Sequence, residues 1–332
     1  LSISDIITKQ WMIDNYLFGI NLTGDEDDPY PDSLFEHSRD AAIDAVSEEL
    51  DVVLDGNLRY PFERHDVSDW ENETWYLLHA DHRPVRSVLR GGVRFGAFQK
   101  TTFPRSWMHV SSSLAGQVQI LPGPEGLEGW SYSGGIPILA ADVLTVRPYT
   151  PRWLWLDYVA GFEHDVTGTV TAKVGDRCLT GTGTDFLEVV NGDEEAVYEV
   201  STILRKGQYV KVGDEVRRIH EVTDGTTLVV DLEWKKTWAD ATLTLLDYPH
   251  SILDMVGLVA ALLPLDTAGD LIIGAGISTL SISVDGISQS IGTTSGVENS
   301  GYGARMISYQ KRLQSHMETS KRKYRPVRMF AL

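Results

Sequence analysis

The chain has 332 residues, enough for one large domain or two ordinary ones, and 42% apolar content with nine tryptophans excludes a disordered polypeptide. A formal net charge of −18 argues against non-specific nucleic-acid binding, which needs Lys and Arg to neutralise phosphates. The single cysteine, Cys178, excludes an intrachain disulfide and a multi-thiolate metal site.

Residues 1–30 carry an apolar patch around Trp11, Met12, Ile13, Tyr16, Leu17 and Phe18, followed by an acidic, turn-forming stretch at 24–31. Ser33 and Glu36 match a capping box, and Phe35, Ala42, Val46 and Leu50 then share one helical face, so a helix is expected over 34–54. From 75 to 158 the pattern changes to short strands, at 75–78, 85–90, 117–121 and 153–158, punctuated by Gly and Pro.

Residues 166–247 read as a separate β unit. Val170, Val174, Val200, Val210, Val212, Val216, Leu228, Val230, Leu243 and Leu245 lie in short runs between Gly-rich turns, the spacing of a small barrel or sandwich. Helical character returns at Ser251, with Ile252, Val256, Val259 and Leu263 on one face and an expected stop before Pro264. Leu280, Ile282 and Val284 alternate with polar residues, a strand ending at Asp285-Gly286. A last helix carries the stripe Tyr302, Met306, Tyr309, Leu313 and Met317, and a basic tail begins at Lys321.

The expected fold class is therefore α+β: a discontinuous core domain of helices and strands, 1–165 with 248–332, interrupted by a small all-β inserted domain at 166–247. The longest apolar run, 255–263, is far below the roughly 20 residues of a bilayer span, and the first residues lack the basic start of a signal peptide. These features lead us to expect a soluble, unsecreted protein with no membrane partner.

Charge is segregated along the chain. Residues 1–60 hold fourteen Asp or Glu against three Lys or Arg, whereas residues 311–328 hold seven Lys or Arg against Glu318 alone. Ends of opposite sign suit different partners, or a head-to-tail contact between copies.

No motif carries a recognisable chemistry. Cys178 lies in a strand-like run and is expected to be a buried structural thiol. His79, Asp81 and His82 are close in sequence but show no third ligand nearby, and Glu163-His164-Asp165 is equally short of partners. Asp25 to Asp28 lack the alternating ligands of an EF-hand, Gly274-Ala275-Gly276 lacks the rest of a phosphate loop, and Glu125 with Glu128 is a pair any acidic protein offers. The reading expects no catalytic residues, no metal and no cofactor.

Several stretches resemble matching parts of tailed-bacteriophage head-to-tail connector (adaptor or neck) proteins. They are 116–122, 155–162, the acidic helix within 31–54, and the closing segments 269–277, 280–291 and 301–305 with Tyr309 and Tyr324. The β segment carries a second resemblance, at 168–171, 179–186, 212–214, 219–222 and 227–230, to a small module of phage structural proteins. It departs from that module at 191–195 and 201–208.

The resemblance implies a virion structural protein: a ring of about twelve copies beneath the portal protein, extending the DNA channel toward the tail. It further implies contact with tail-completion or tail-terminator proteins, passage of genomic DNA without sequence-specific binding, and residence in the virion neck after assembly in the host cytoplasm. The basic end then supplies candidate portal or neighbour-subunit contacts: Lys321, Arg322, Lys323, Tyr324, Arg325, Arg328 and Phe330. The alternatives are a tail-completion or collar protein and a carbohydrate-binding module, for which Trp234 and Trp238 would form an exposed aromatic platform.

Overall fold

The computed structural model describes residues 3–20, 31–66, 70–71, 77–95, 99–120, 152, 154–187, 198–199, 204–273, 279–284, 287–292 and 302–324. The chain is α+β and divides into two compact units, residues 1–50 with 249–322 and residues 51–248 with 323–332. The unit boundaries fall at 50/51, 248/249 and 322/323, where the sequence reading places them at 165/166 and 247/248. The strands between 58 and 246 share one unit with the β segment, and helices from the two ends of the chain, with the hairpin at 279–292, form the other.

In the helical unit, α1 (Lys9–Asn15) is capped by Thr8, whose hydroxyl accepts the Trp11 amide at 3.2 Å. Helix α2 (Asp32–Leu50) buries Phe35, Ser38, Ala42, Ile43, Val46 and Leu50, the expected stripe with two additions. It starts before the expected cap, so Ser33 lies inside the first turn, and Pro31 O receives the Leu34 amide. It ends at Leu50 rather than 54 because Asp51 adopts a left-handed φ of 53° and Val52 enters a bridge with Arg83.

Helix α3 (His250–Ile273) packs along α2 and overturns the expected stop at Pro264. Pro264 has no N–H to offer the Ala260 carbonyl four residues earlier. Ser38 Oγ on α2 takes that role, donating to Ala260 O at 2.7 Å. With the proline absorbed, His250–Gly269 becomes long and apolar enough to cross a bilayer by length and composition, yet 67% of that window is buried inside the structure. At Gly257 the Tyr16 ring comes within 2.4 Å of where a Cβ would stand, so only glycine permits this approach to α3.

An antiparallel hairpin follows, Thr279–Val284 with Ile287–Gly292. The sequence reading stopped at its first strand. Helix α4 (Gly303–Tyr324) closes the described chain. Met306 is buried and Tyr302, Tyr309, Leu313 and Met317 are partly buried, as the stripe requires, and Ser320 and Tyr324 extend it. Residues 321–324 are thus helix rather than tail.

The second unit begins with β1 (Leu58–His65), β2 (Trp70–Glu71), β3 (Leu77–His79), β4 (Val85–Phe95), β5 (Gln99–Thr102), β6 (Met108–Ser112), β7 (Gln117–Ile120) and β8 (Leu154–Ala160). They form two antiparallel sheets, one ordered β1-β8-β4 with β5 also on β4, the other β2-β3-β7-β6. Leu154, Leu156, Tyr158 and Ala160 alternate inward from β8 and share one core with Val88, Val93, Met108, Val118 and Ile120. Gly91 lets β4 pass between the Met108 sulfur and the Leu156 side chain, which would stand 2.7 and 2.9 Å from an added Cβ.

The β segment supplies β9 (Glu163–Asp165), β10 (Thr169–Ala172), β11 (Cys178–Thr182), β12 (Tyr198–Glu199), β13 (Tyr209–Val212), β14 (Glu215–Val222), β15 (Thr227–Val230), β16 (Trp238–Ala241) and β17 (Leu243–Leu246). Strand β12 pairs with β4, and the other eight form one sheet ordered β16-β10-β11-β15-β14-β13-β17-β9. Val170, Leu179, Val210, Val212, Leu228, Val230, Leu243 and Leu245 turn to one face and enclose a core of their own. Val174, counted with them in the sequence, is exposed in a turn.

The sheet curls on itself. The edge strand β16 lays the Trp238 ring on the β13–β14 turn, 2.3 Å from where a Cβ of Gly213 would be. Glu215, at the start of β14, accepts the Lys235 and Lys236 amides, each at 2.9 Å. The barrel-like closure therefore rests on a glycine at φ 59° and one nearly buried carboxylate.

Candidate functional site

The expected contact residues at the basic end divide by their surroundings. Lys321 is ion-paired with Glu49. Arg322 and Lys323 are exposed on α4. Tyr324 is fully buried: its carbonyl accepts Arg83 Nη1 at 2.7 Å and its ring meets the Phe162 ring edge-on at 6.5 Å. Burial pushes its phenol up, with the Asp247 carboxylate adding to the shift. Tyr324 is therefore an anchor within its own unit. Arg325, Arg328 and Phe330 lie outside the described residues.

Charge on the helical unit is laid out in faces. Asp32, Glu36, Asp40, Asp44 and Glu48 recur every four residues along α2 and are all exposed. Lys311, Arg312 and Arg322 are exposed on α4. Lys9 pairs with Asp32 and Arg39 with Asp40, and Arg312 reaches Asp254 at 2.8 Å. The same Asp254 accepts the Tyr16 hydroxyl at 2.7 Å and lies 3.0 Å from His316 Nε2, so one carboxylate of α3 ties α1 and α4 to it.

A cluster that sequence inspection missed forms around Glu63. Its Oε2 receives the Tyr158 hydroxyl and lies 2.9 Å from His82 Nδ1. Its Oε1 accepts the Asp81 amide at 3.0 Å and lies 2.8 Å from His65 Nε2. The His82 ring stacks on Tyr60, with centroids 3.8 Å apart. Burial alone would raise the Glu63 carboxyl, but the contacts with His65, His82, Tyr158 and the Asp81 amide outweigh it and hold it at about 2. The sequence signal was Glu63-x-His65, two residues apart on a strand and so on one face. It went unread because Asp81 and His82 come from another segment.

Other charged groups are spent on structure. Asp157 is fully buried and holds Arg59 through two contacts, at 2.9 and 2.7 Å, and Arg90 at 2.9 Å. Burial would raise its carboxyl, and the two guanidinium groups hold it below the usual range. His164 Nε2 faces Arg86 at 2.8 Å, and burial, with the Arg86 charge, drives the imidazole down to about 2. Of its neighbours, Asp165 accepts the Thr244 hydroxyl at 2.7 Å, and Asn57 bonds the Glu163 backbone.

Two expectations are corrected here. Cys178 is exposed, because β11 alternates and Leu179 takes the inward position. The two tryptophans do not form a platform: Trp234 is 1% exposed under Arg217, and Trp238 is partly buried on Gly213. An open groove of about 540 Å³ lies on the β segment, lined by Leu204, Arg205, Lys206, His220, Glu221 and Val222. It uses part of 201–208, where the sequence departs from the module it resembles. The acidic residues 191–195, 25–28, 125 and 128 and the glycines 274 and 276 lie outside the described residues.

Comparison of the chain with models of known protein families gives no match, and comparison with curated proteins gives none either.

Proposed function

We propose that the chain is a virion structural protein of a tailed bacteriophage, a head-to-tail connector subunit that assembles as a ring beneath the portal. The observation that carries this reading is the opposed charge of two helices in one compact unit. Five carboxylates lie every four residues on the exposed face of α2, and Lys311, Arg312 and Arg322 are exposed on α4. Like charges four apart on a helix repel, at a cost of about 0.2–0.5 kcal/mol per pair. Lys9 and Arg39 offset part of that cost within the chain, a basic face from a neighbouring copy would offset more, and a contact between unlike faces is the heterologous kind from which rings are built.

The reading also draws on the sequence resemblance at both ends of the chain and in the β segment. An acidic subunit suits a channel wall on which DNA phosphates slide without sticking. The sugar-binding alternative loses its support with Trp234 in the core.

The test is negative-stain imaging of the purified protein, alone and mixed with the portal protein of the same phage. Rings, alone or on the portal, are the expected result. Monomers that persist at high concentration and ignore the portal would overturn the reading.

A further inference from the structure

We propose that Glu63, His65 and Asp81 form a binding site for a divalent transition-metal ion of the zinc class. One candidate ligand atom from each of the three lies within 4.8 Å of the others. Glu63 and His65 stand two apart on β1, after a bulge that follows Tyr60, so both turn to the same face. Asp81 comes from the turn between β3 and β4, where its amide already bonds Glu63 Oε1.

The division of labour on Glu63 points to this chemistry. Oε2 is held by the Tyr158 hydroxyl and by His82, which itself is stacked on Tyr60. Such outer partners orient a ligating carboxylate and fix which oxygen faces the ion. Oε1 is turned instead toward His65 Nε2, at 2.8 Å. That nitrogen is buried, His65 being 3% exposed, and the approach is not aligned as a hydrogen bond. The nitrogen is thus close to the carboxylate without an aligned hydrogen bond, which leaves its lone pair direction to be filled by an ion that both groups ligate. Two donors of one ion, each about 2.0–2.1 Å from it, stand roughly 3.0–3.4 Å apart, so a shift of a few tenths of an ångström opens this pair to a metal.

One imidazole and two carboxylates make a mixed nitrogen and oxygen set. It suits Zn²⁺, Mn²⁺ or Co²⁺ and disfavours Mg²⁺ and Ca²⁺, which take oxygen ligands. Asp81 is exposed, so the ion enters from its side, and water completes the coordination there. His79 stays out of the group, buried at the end of β3. The site is independent of the assembly reading.

The test uses the full chain, stripped with a chelator and titrated with Zn²⁺ by calorimetry, with Tm followed in parallel. Binding of one ion per chain and a rise in Tm are expected, and Co²⁺ in its place should give visible d–d absorption. Asp81→Asn changes an exposed turn and should fold normally while weakening Zn²⁺ affinity about tenfold or more. His65→Gln should abolish the Co²⁺ spectrum, and if that variant does not fold, Asp81→Asn decides alone. No Zn²⁺ binding by the wild-type chain, or equal binding by wild type and Asp81→Asn, would overturn the proposal.

Discussion

Ser38 Oγ donates a 2.7 Å hydrogen bond to the carbonyl oxygen of Ala260, the acceptor that Pro264 leaves without its helical donor. The two partners are 222 residues apart in sequence, on α2 and α3. The bond is buried, so losing it strands a carbonyl away from water. Ser38→Ala should destabilise the protein by about 1–3 kcal/mol. In a Pro264→Ala background the backbone N–H returns, and the same serine change should cost markedly less. Denaturant melts of the four proteins of this cycle measure the coupling. Equal costs in both backgrounds would show that the serine does not serve the proline gap.

Closure of the β segment makes a second prediction. Glu215 gathers the Lys235 and Lys236 amides, and lies 3.3 Å from the Trp238 indole nitrogen. Glu215→Ala should cost about 2–4 kcal/mol, since two backbone donors and the Arg217 contact lose their partner. Hydrogen exchange should rise at β16 and in the turn before it, with little change at β8. Uniform exchange across the chain would place the role of Glu215 elsewhere.

His164 sets a pH dependence. The imidazole ordinarily titrates near 6.5, and burial beside Arg86 lowers it to about 2 in the folded chain. Below pH 6.5 the unfolded chain therefore binds a proton that the folded chain refuses, so stability falls as the pH drops. The slope is about 1.4 kcal/mol per pH unit, or about 2 kcal/mol lost between pH 6.5 and pH 5. His164→Gln, which keeps an acceptor for Arg86, should flatten this limb. Unfolding free energies of both proteins across that interval are the measurement, and parallel curves would count against a neutral buried histidine.

At the basic end, anchoring and contact separate. Tyr324→Ala removes a fully buried ring and should cost about 3–5 kcal/mol of stability. Deleting residues 325–332 leaves that anchor in place and should reduce portal binding while the Tm stays near wild type. Unchanged portal affinity after the deletion would remove these residues from the assembly reading.

Local periodicity was legible without a structure. Phe35, Ala42, Val46 and Leu50 on α2, the stripe from Tyr302 to Met317 on α4, and the alternation of Val170, Leu228, Val230, Leu243 and Leu245 were all readable, because helix and strand repeats follow from short-range sterics. The α+β class followed from them. The acidity of residues 1–60 was equally visible, but the row from Asp32 to Glu48 emerged only with the helix start at Asp32.

Three features that lay beyond the sequence involved a partner from another segment of the chain. Pro264 reads as a helix stop, yet α3 continues, and Ser38 on another helix supplies the donor that the proline lacks. Asp81 and His82 look isolated until the turn that carries them meets β1 and Glu63. Tyr324 reads as part of an exposed basic tail, yet Arg83 and Phe162 fold it into a core. Cys178 differs: its exposure depends on which face of β11 turns inward, and Leu179 takes the core side. Repeat and propensity are properties of neighbouring residues and were fixed by order alone. Which buried polar group finds a donor, and which strand face meets a core, was decided only when distant segments packed and excluded water.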